Sequence, residues 1–525
     1  MNSTFFSLFF LSTITIFSQP IIDWQKTYGG SGNDVLSKIV LSQDGYIIGG
    51  FSNSNTSGEK NQNSRGLLDY WLLSLNQSGQ IVWQRTLGGS LDDSLNAMCY
   101  TNDGGVIVGG VSYSNISGEK SQNSRGSGDY WILKLDVNGV IEWQKTIGGG
   151  NLDVLRSINQ TSDGGFILGG TSNSDISGEK NDSSRGLSPS NDYWVIKTDA
   201  FGIIEWQKTI GGDGSDELAC IKQTSDNGYI LVGTSTSDAN YDKTENSRGL
   251  YDYWIVRLDS SGLIEWQKTY GGSQEDYAQD VLASTDNGYY VGGFSYSGIS
   301  GDKVETLRGV TDFWILKLDF FGAIVWQKTI GGSGADFLYS MLECSDNSVL
   351  LSGSSESSIS GDKTEDSRGL SDMWLVKLNQ SGSMIWQKTI GGSNVDNIFS
   401  IKKTSNDSYL LGGNSRSSIS GEKSDNSRGE TDYWLVKLSS DNLSTIENEL
   451  KTIEVYPNPT RGSLSIFVDK SIEIDTLLLT DGSGKIIICH KNQSNKIDIE
   501  GESGIYLLKI TTTTGIQKSF KILKF

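Results

Sequence analysis

The chain has 525 residues, 36% apolar and 10% aromatic, which is enough for a packed core and excludes a disordered chain. Its formal charge is −20, carried by the first 451 residues, because residues 452–525 hold nine Lys or Arg against eight Asp or Glu. So acidic an exterior repels nucleic acid and anionic lipid and keeps an exported protein dissolved.

Residues 1–18, "MNSTFFSLFFLSTITIFS", contain an apolar run from Phe5 to Phe17 that is too short to span a bilayer and sits where a signal peptide belongs. Its first residues lack Lys and Arg. Cleavage is expected between Ser18 and Gln19, and no later stretch is apolar enough for a transmembrane segment in the mature chain. The expected location is secreted or at the outer cell surface.

From Trp24 onward one unit repeats. Trp-Gln pairs begin at Trp24, Trp83, Trp143, Trp206, Trp266, Trp326 and Trp386. A second Trp, preceded by Asp and one variable residue, stands at Trp71, Trp131, Trp194, Trp254, Trp314, Trp374 and Trp434, and the two series are all 14 tryptophans. Seven repeats of about sixty residues mean a propeller or a solenoid. In the third repeat "DVLRSINQTS" (153–162) reads as a weakly alternating strand running into the tight turn Asp163-Gly164-Gly165. "FILGGTS" follows, then a long polar loop, then the strands "DYWVIKT" and "IIEWQKTI". With 64 glycines and four prolines, such short strands joined by turns suit the composition. The array starts on a fourth strand, "IIDWQKTYGG" (21–30), and stops after a third, "DYWLVKL" (432–438). A ring uses that offset, because the first strand completes the last blade and removes an exposed edge. The expected fold is all-β: a seven-bladed β-propeller over 21–438, with a β-solenoid as the alternative. The repeat resembles the Trp-Gln-Lys-Thr and Asp-Gly-Gly propeller-like repeats of exported Bacteroidota proteins, a group without one agreed activity.

A polar linker, 439–451, precedes a segment of different character over 452–525. Strands are expected near 463–468, 475–480, 485–490, 495–500, 504–511 and 516–523, as in a small Ig-like β-sandwich. Tyr456-Pro457-Asn458-Pro459-Thr460, Gly462, Gly484-Lys485, Gly504 with Tyr506, and the basic-apolar finish Lys518 to Phe525 resemble the C-terminal sorting domain of the type IX secretion system. That resemblance implies export, the secretion machinery as a partner, and attachment to the cell surface or release.

Each repeat carries an Asp ten residues past its Trp-Gln tryptophan (Asp34, Asp93, Asp153, Asp216, Asp276, Asp336, Asp396). Each also carries a loop Arg (Arg65, Arg125, Arg185, Arg248, Arg308, Arg368, Arg428). These are either a ring of identical sugar or ion sites or, more simply, what every blade needs in order to fold. His490 is the one histidine and no CxxC pair occurs, so neither a metal site nor a His-dependent nucleophile is expected in the propeller, and no cofactor is expected. Calcium bound by loop Asp and Asn stays open, without a spaced ligand loop to hold it. Cys99, Cys220 and Cys344 share one parity past the local Trp and read as small buried fillers, and Cys489 lies in the last segment. One-off departures are better guides to function: the insertion at Ser188-Pro189-Ser190, Tyr241 in place of a loop Gly, and Leu307 in place of Ser. Phe313 and Met373, in place of Tyr, read as core drift. Ser188, Ser190 and Tyr241 are the candidate binding residues, on variable loops expected to face a partner. The expected function is a non-enzymatic binding or adhesion scaffold for a surface glycan or protein. The alternatives are a carboxylate-dependent polysaccharide-acting enzyme and a purely structural surface protein.

Overall fold

The computed structural model describes residues 19–186, 190–404, 408–439, 453–468, 473–482, 485–491, 496–513 and 517–525. The signal segment 1–18 with Ser18, the insertion residues Ser188 and Pro189, Gly484 and nearly all of the linker lie outside them, as do the side chains of Cys489 and His490. Two compact units are present, and the first runs from Ile21 to Ser440.

That unit holds seven four-stranded antiparallel sheets in a closed ring. The inner strands are Asp34–Leu41, Asp93–Tyr100, Asp153–Gln160, Asp216–Gln223, Asp276–Ala283, Asp336–Glu343 and Asp396–Lys403, and each packs on the next around the axis. The last sheet is completed by Ile22–Tyr28, which pairs with Asp432–Leu438 in the register Lys26↔Leu435 and Thr27↔Trp434. The ring is therefore closed by the first strand, and the solenoid alternative falls away.

The repeated words of the sequence are blade-to-blade contacts. Every Asp-x-Trp tryptophan is fully buried. Its indole N–H donates to the Gln of the Trp-Gln pair on the neighbouring strand, as in Trp131 Nε1 to Gln144 Oε1 at 3.0 Å. That Gln in turn donates to the long loop, Gln144 Nε2 to the Glu119 carbonyl at 2.7 Å. The intervening Tyr reaches the next blade: the Tyr70 ring lies 5.0 Å from Trp131 and its hydroxyl donates to the Trp131 carbonyl at 3.1 Å. Phe313 and Met373 are equally buried but lack that hydroxyl, so their blades forgo one hydrogen bond while keeping the packing. The Trp-Gln tryptophans lie further out, over the turn glycine of the next blade. Gly262 holds φ 81°, and a Cβ there would meet the Trp206 ring at 2.9 Å.

The inner strands alternate weakly for a physical reason. Each contains a β-bulge between its third and fifth residues, Leu36/Lys38 in the first and Ala278/Asp280 in the fifth. A bulge breaks the two-residue period and re-aims side chains. The third and sixth residues, such as Leu36 and Ile39, are buried between blades. Second and fourth residues such as Tyr277 and Tyr339, with Lys38 at the fifth, line the axial cavity.

The second unit is a sandwich of two sheets. Glu454–Tyr456, Ser463–Phe467 and Lys496–Asp498 form one; Ile474–Asp481, Ile486–Lys491, Gly504–Thr512 and Gln517–Lys524 form the other. Leu464, Leu479, Leu508 and Ile522 are fully buried in its core. The strands expected from sequence agree to within two residues, except that Glu454–Tyr456 was not anticipated.

Candidate functional site

The repeated Asp and Arg residues are architectural. Each inner-strand Asp is fully buried, and its Oδ2 accepts the N–H of the second Gly of the Gly-Gly pair and a Ser hydroxyl, Gly30 at 2.6 Å and Ser54 at 2.9 Å for Asp34. The Asp of each Asp-x-Trp triplet is buried as well; Asp69 accepts the Arg65 N–H at 2.6 Å, and a Cβ on Gly88 would strike its Oδ1. The loop arginines each pair with the acidic residue of the next blade's loop. Arg65–Glu119, Arg125–Glu179, Arg185–Asp242, Arg248–Asp302, Arg308–Asp362, Arg368–Glu422 and Arg428–Glu59 close a seven-membered circle at 2.6–3.0 Å. Part-exposed pairs of this kind contribute roughly 0.2–1 kcal/mol each.

The loop candidates separate. Ser190 is buried and donates to the Arg185 carbonyl at 2.5 Å, so its hydroxyl ties down its own loop. Tyr241 is 67% exposed and sits at φ 46°, where the other six repeats carry Gly at φ 54–56°. A non-Gly residue there is strained by about 1 kcal/mol. Tyr241→Gly is expected to raise stability by about that amount, read as a higher midpoint in urea unfolding at unchanged slope. Tyr241 does not line the axial cavity described next. Leu307 is half-buried, and the hydroxyl it lacks is replaced by Thr311, which donates to the Ser295 carbonyl at 3.0 Å.

The side chains that differ most between repeats meet on the axis. A cavity of about 430 Å³ opens on the long-loop face, where the inner strands begin. Tyr277, Tyr339, Phe399 and Phe51 line it with Arg156 and Glu217. The aromatic rings form a one-sided arc: Tyr277–Phe294 5.2 Å, Phe294–Phe337 5.0 Å, Phe337–Tyr339 6.5 Å and Tyr339–Phe399 5.0 Å. Lys38 lines the cavity from the fifth position of the first inner strand. Around the axis with it stand Asp280, Lys222 and Lys402, whose charges act on one another across the ring, with the thiols of Cys99 and Cys220 among them. Lys222 Nζ lies 3.1 Å from Asp280 Oδ1, and Asp280 Oδ2 accepts the Met341 N–H at 2.9 Å. Burial alone would raise the Asp280 carboxyl, but Lys222 and that N–H outweigh it and hold the group below its ordinary value. Burial, with repulsion from Lys222 and Lys38, lowers Lys402 to about 8.

Cys220 and Cys344 are the buried fillers expected from the sequence, and Cys99 departs from that expectation. The bulge places Cys99 and Cys220 on the axial face, where Cys99 Sγ accepts the Gln160 N–H at 3.4 Å and Cys220 Sγ lies 3.5 Å from Asp280 Oδ1. Cys99 is only half-buried; Cys344, one residue past its strand, is buried beside the Tyr409 hydroxyl at 3.6 Å. Burial pushes all three thiols up, so none is an activated nucleophile. Among the described residues no group of three or more His, Cys, Asp or Glu is placed to hold a metal ion, and no helix is long and apolar enough to cross a membrane.

In the second unit the sequence motif docks the terminal strand. Asn458 Nδ2 donates to the Lys521 carbonyl at 2.7 Å and Oδ1 accepts the Leu523 N–H at 3.0 Å. Thr460 exchanges backbone hydrogen bonds with Leu523 and Phe525, and its hydroxyl accepts the Gly462 N–H at 3.0 Å. Pro457 and Pro459 flank this clamp, and Tyr456 stacks on Phe467 at 4.7 Å. Tyr506, buried, donates to the Glu502 carbonyl at 2.8 Å across Gly504, the first residue of its strand, while Lys485 is exposed.

A stretch of 251 residues is 21% identical to the regulatory protein FlaEY of Caulobacter vibrioides, covering 44% of this chain and 26% of that protein. Among solved structures, the hydrazine synthase of Kuenenia stuttgartiensis aligns with TM-score 0.43 and 11% identity over 72% of this chain and 93% of its own. Sqt1 from Chaetomium thermophilum aligns with TM-score 0.41 and 12% identity over 86% and 97%, and the Pan2 WD40 domain of Neurospora crassa with 0.40 and 12% over 77% and 89%. Residues 454–524 match the family described as "Secretion system C-terminal sorting domain". The chain therefore joins a seven-bladed β-propeller to a C-terminal sorting domain of the type IX secretion system, which marks it for export.

Proposed function

We propose that this is a non-enzymatic binding module delivered to the cell surface or beyond, and that it takes its ligand in the axial cavity. One observation carries the reading. The residues shared by all blades are consumed in holding blades together, whereas the axial residues differ from blade to blade and form an asymmetric cavity with aromatic rings on one side. A cavity of this size, with aromatic rings set beside polar and charged side chains, is large enough for a small ligand. Glycoside hydrolysis needs two carboxylates facing the same bond. Here Glu217 lines the cavity, while Asp280 is committed to Lys222 and the Met341 N–H, which favours binding over turnover.

The test is a glycan array probed with the purified full chain, with and without calcium. Saturable binding to one saccharide class is expected, weakened roughly thirtyfold in Tyr339→Ala by loss of about 2 kcal/mol of ring contact. Silence in both conditions, or binding that Tyr339→Ala leaves untouched, would overturn the axial site.

A further inference from the structure

We infer that the axial cavity is built for an anionic saccharide, a uronate or sulfated sugar, with its ring against the aromatic arc and its acidic group toward Lys38 in the lining and the lysines further along the axis. This rests on the binding reading above and names the chemistry of the ligand.

The cations are placed without a need from the fold. Lys38, Lys222 and Lys402 come from the first, fourth and seventh inner strands and face a single carboxylate, Asp280. Lys222 is paired with it at 3.1 Å, whereas Lys38 and Lys402 make no ion pair among the described residues. At the seventh position the other blades carry Val40, Cys99, Asn159, Leu282 and Leu342; at the fifth they carry Ala97, Ser157, Cys220, Asp280, Ser340 and Ser400. Neutral residues fill nearly all of these places, so the packing does not call for three ammonium groups. Crowded like charges in a confined channel are unfavourable until a counter-charge arrives. Arg156, on the third inner strand, adds a fourth cation at the level of the rings, where Glu217 supplies a second carboxylate, so cations outnumber anions by four to two. The rest of the protein carries strong negative charge, so this local excess of positive charge stands against the general field.

The arc says what accompanies the anion. Tyr339 and Phe399 present adjacent rings at 5.0 Å, with Tyr277 further along the same arc, and flat aromatic faces accept the C–H face of a sugar. Asn96 and Gln279, also in the lining, offer donors and acceptors for hydroxyls. About 430 Å³ suits one or two sugar units better than a folded protein segment.

The experiment is isothermal titration of the full chain with oligogalacturonate, its methyl ester, a sulfated disaccharide and polyglutamate. At least one of the acidic sugars is expected to bind saturably, and oligogalacturonate, where it is the ligand, at least tenfold more tightly than its ester. Lys402→Gln should weaken that binding about tenfold while raising the melting temperature, because it removes a crowded cation. A lysine of merely structural use would move stability alone. Equal affinity for acid and ester with no sulfated ligand bound, or unchanged acidic-sugar affinity in both Lys402→Gln and Lys38→Gln, would overturn the anionic assignment and leave the binding module standing. Polyglutamate binding without any saccharide would also overturn it. Absence of saturable binding by every probe, together with silence on the array, would remove both readings.

Discussion

A chain lacking residues 19–30 is expected to lose the single cooperative thermal transition of the propeller. The deletion removes Ile22–Tyr28 and with it the outer strand of the seventh blade. Trp434 Nε1 loses Gln25 Oε1 at 3.1 Å, and buried Lys423 loses the Thr27 hydroxyl at 2.5 Å. Tyr28, 3% exposed, leaves a void beside Trp71 and Leu435, and Asp34 loses the Gly30 N–H. Unpaired buried polar groups and a cavity on that scale exceed the roughly 4–5 kcal/mol that single substitutions rarely pass. The bared edge of Asp432–Leu438 also invites intermolecular pairing. Near-UV circular dichroism, dominated by the 14 tryptophans, and size-exclusion chromatography read both effects. A peptide of residues 19–30 added in trans should restore the transition. An unchanged melting curve for the truncated chain would mean that the seam contributes nothing.

The second large effect is on pH. Burial raises Asp192 to about 7, helped by repulsion from Asp216, and raises Asp216, Asp276, Asp312 and Asp372 to about 6. In all five, as in the equivalent residues of the other blades, Oδ1 has no hydrogen-bond partner. A carboxyl whose folded value lies above its unfolded one contributes stability that is complete below about pH 3.8 and is lost as pH rises through the folded value. The loss therefore falls between about pH 4 and 7. Groups held low, such as Asp103 and Asp163 at about 2, lose their contribution only below that window. The melting temperature should accordingly be higher at pH 5 than at pH 7.5. At ~2.1 cal/mol/K per residue, 1 kcal/mol shifts a ring of this size by roughly 1 °C, so a difference of a few degrees is expected at constant ionic strength. Differential scanning calorimetry checks it, and Asp192→Asn should flatten the upper part of the slope. Greater stability at pH 7.5 would mean that these carboxyls stay ionised against the buried loop lysines.

The blades were legible because their contacts are written in repeated letters. The Trp-Gln spacing marks where an indole N–H meets an amide on the adjacent strand, and the offset ends mark the seam. The sorting segment was legible for a similar reason, since Asn458, Thr460 and Gly462 form one clamp within a few residues. The axial cavity was not. Its residues are those in which the repeats disagree, and no local pattern gathers Lys38, Asp280 and Lys402. The bulge hid them further, since with two consecutive residues such as Ser37 and Lys38 both directed inward, a strict alternation assigns one of them to the wrong face. Aligning the seven inner strands and reading down the columns is the signal that finds them.

Closure by the first strand also sets an order in time. Gln25 and Trp434 bond across 409 residues, so six blades can form from local hairpins as the chain appears, while the seventh must wait for both ends. During a vectorial passage that delivers the amino end first, the ring stays open until the segment just before the sorting domain has followed. The arrival of that domain and the locking of the propeller are then nearly one event, and a chain stalled midway presents an open, protease-sensitive arc in place of a finished ring.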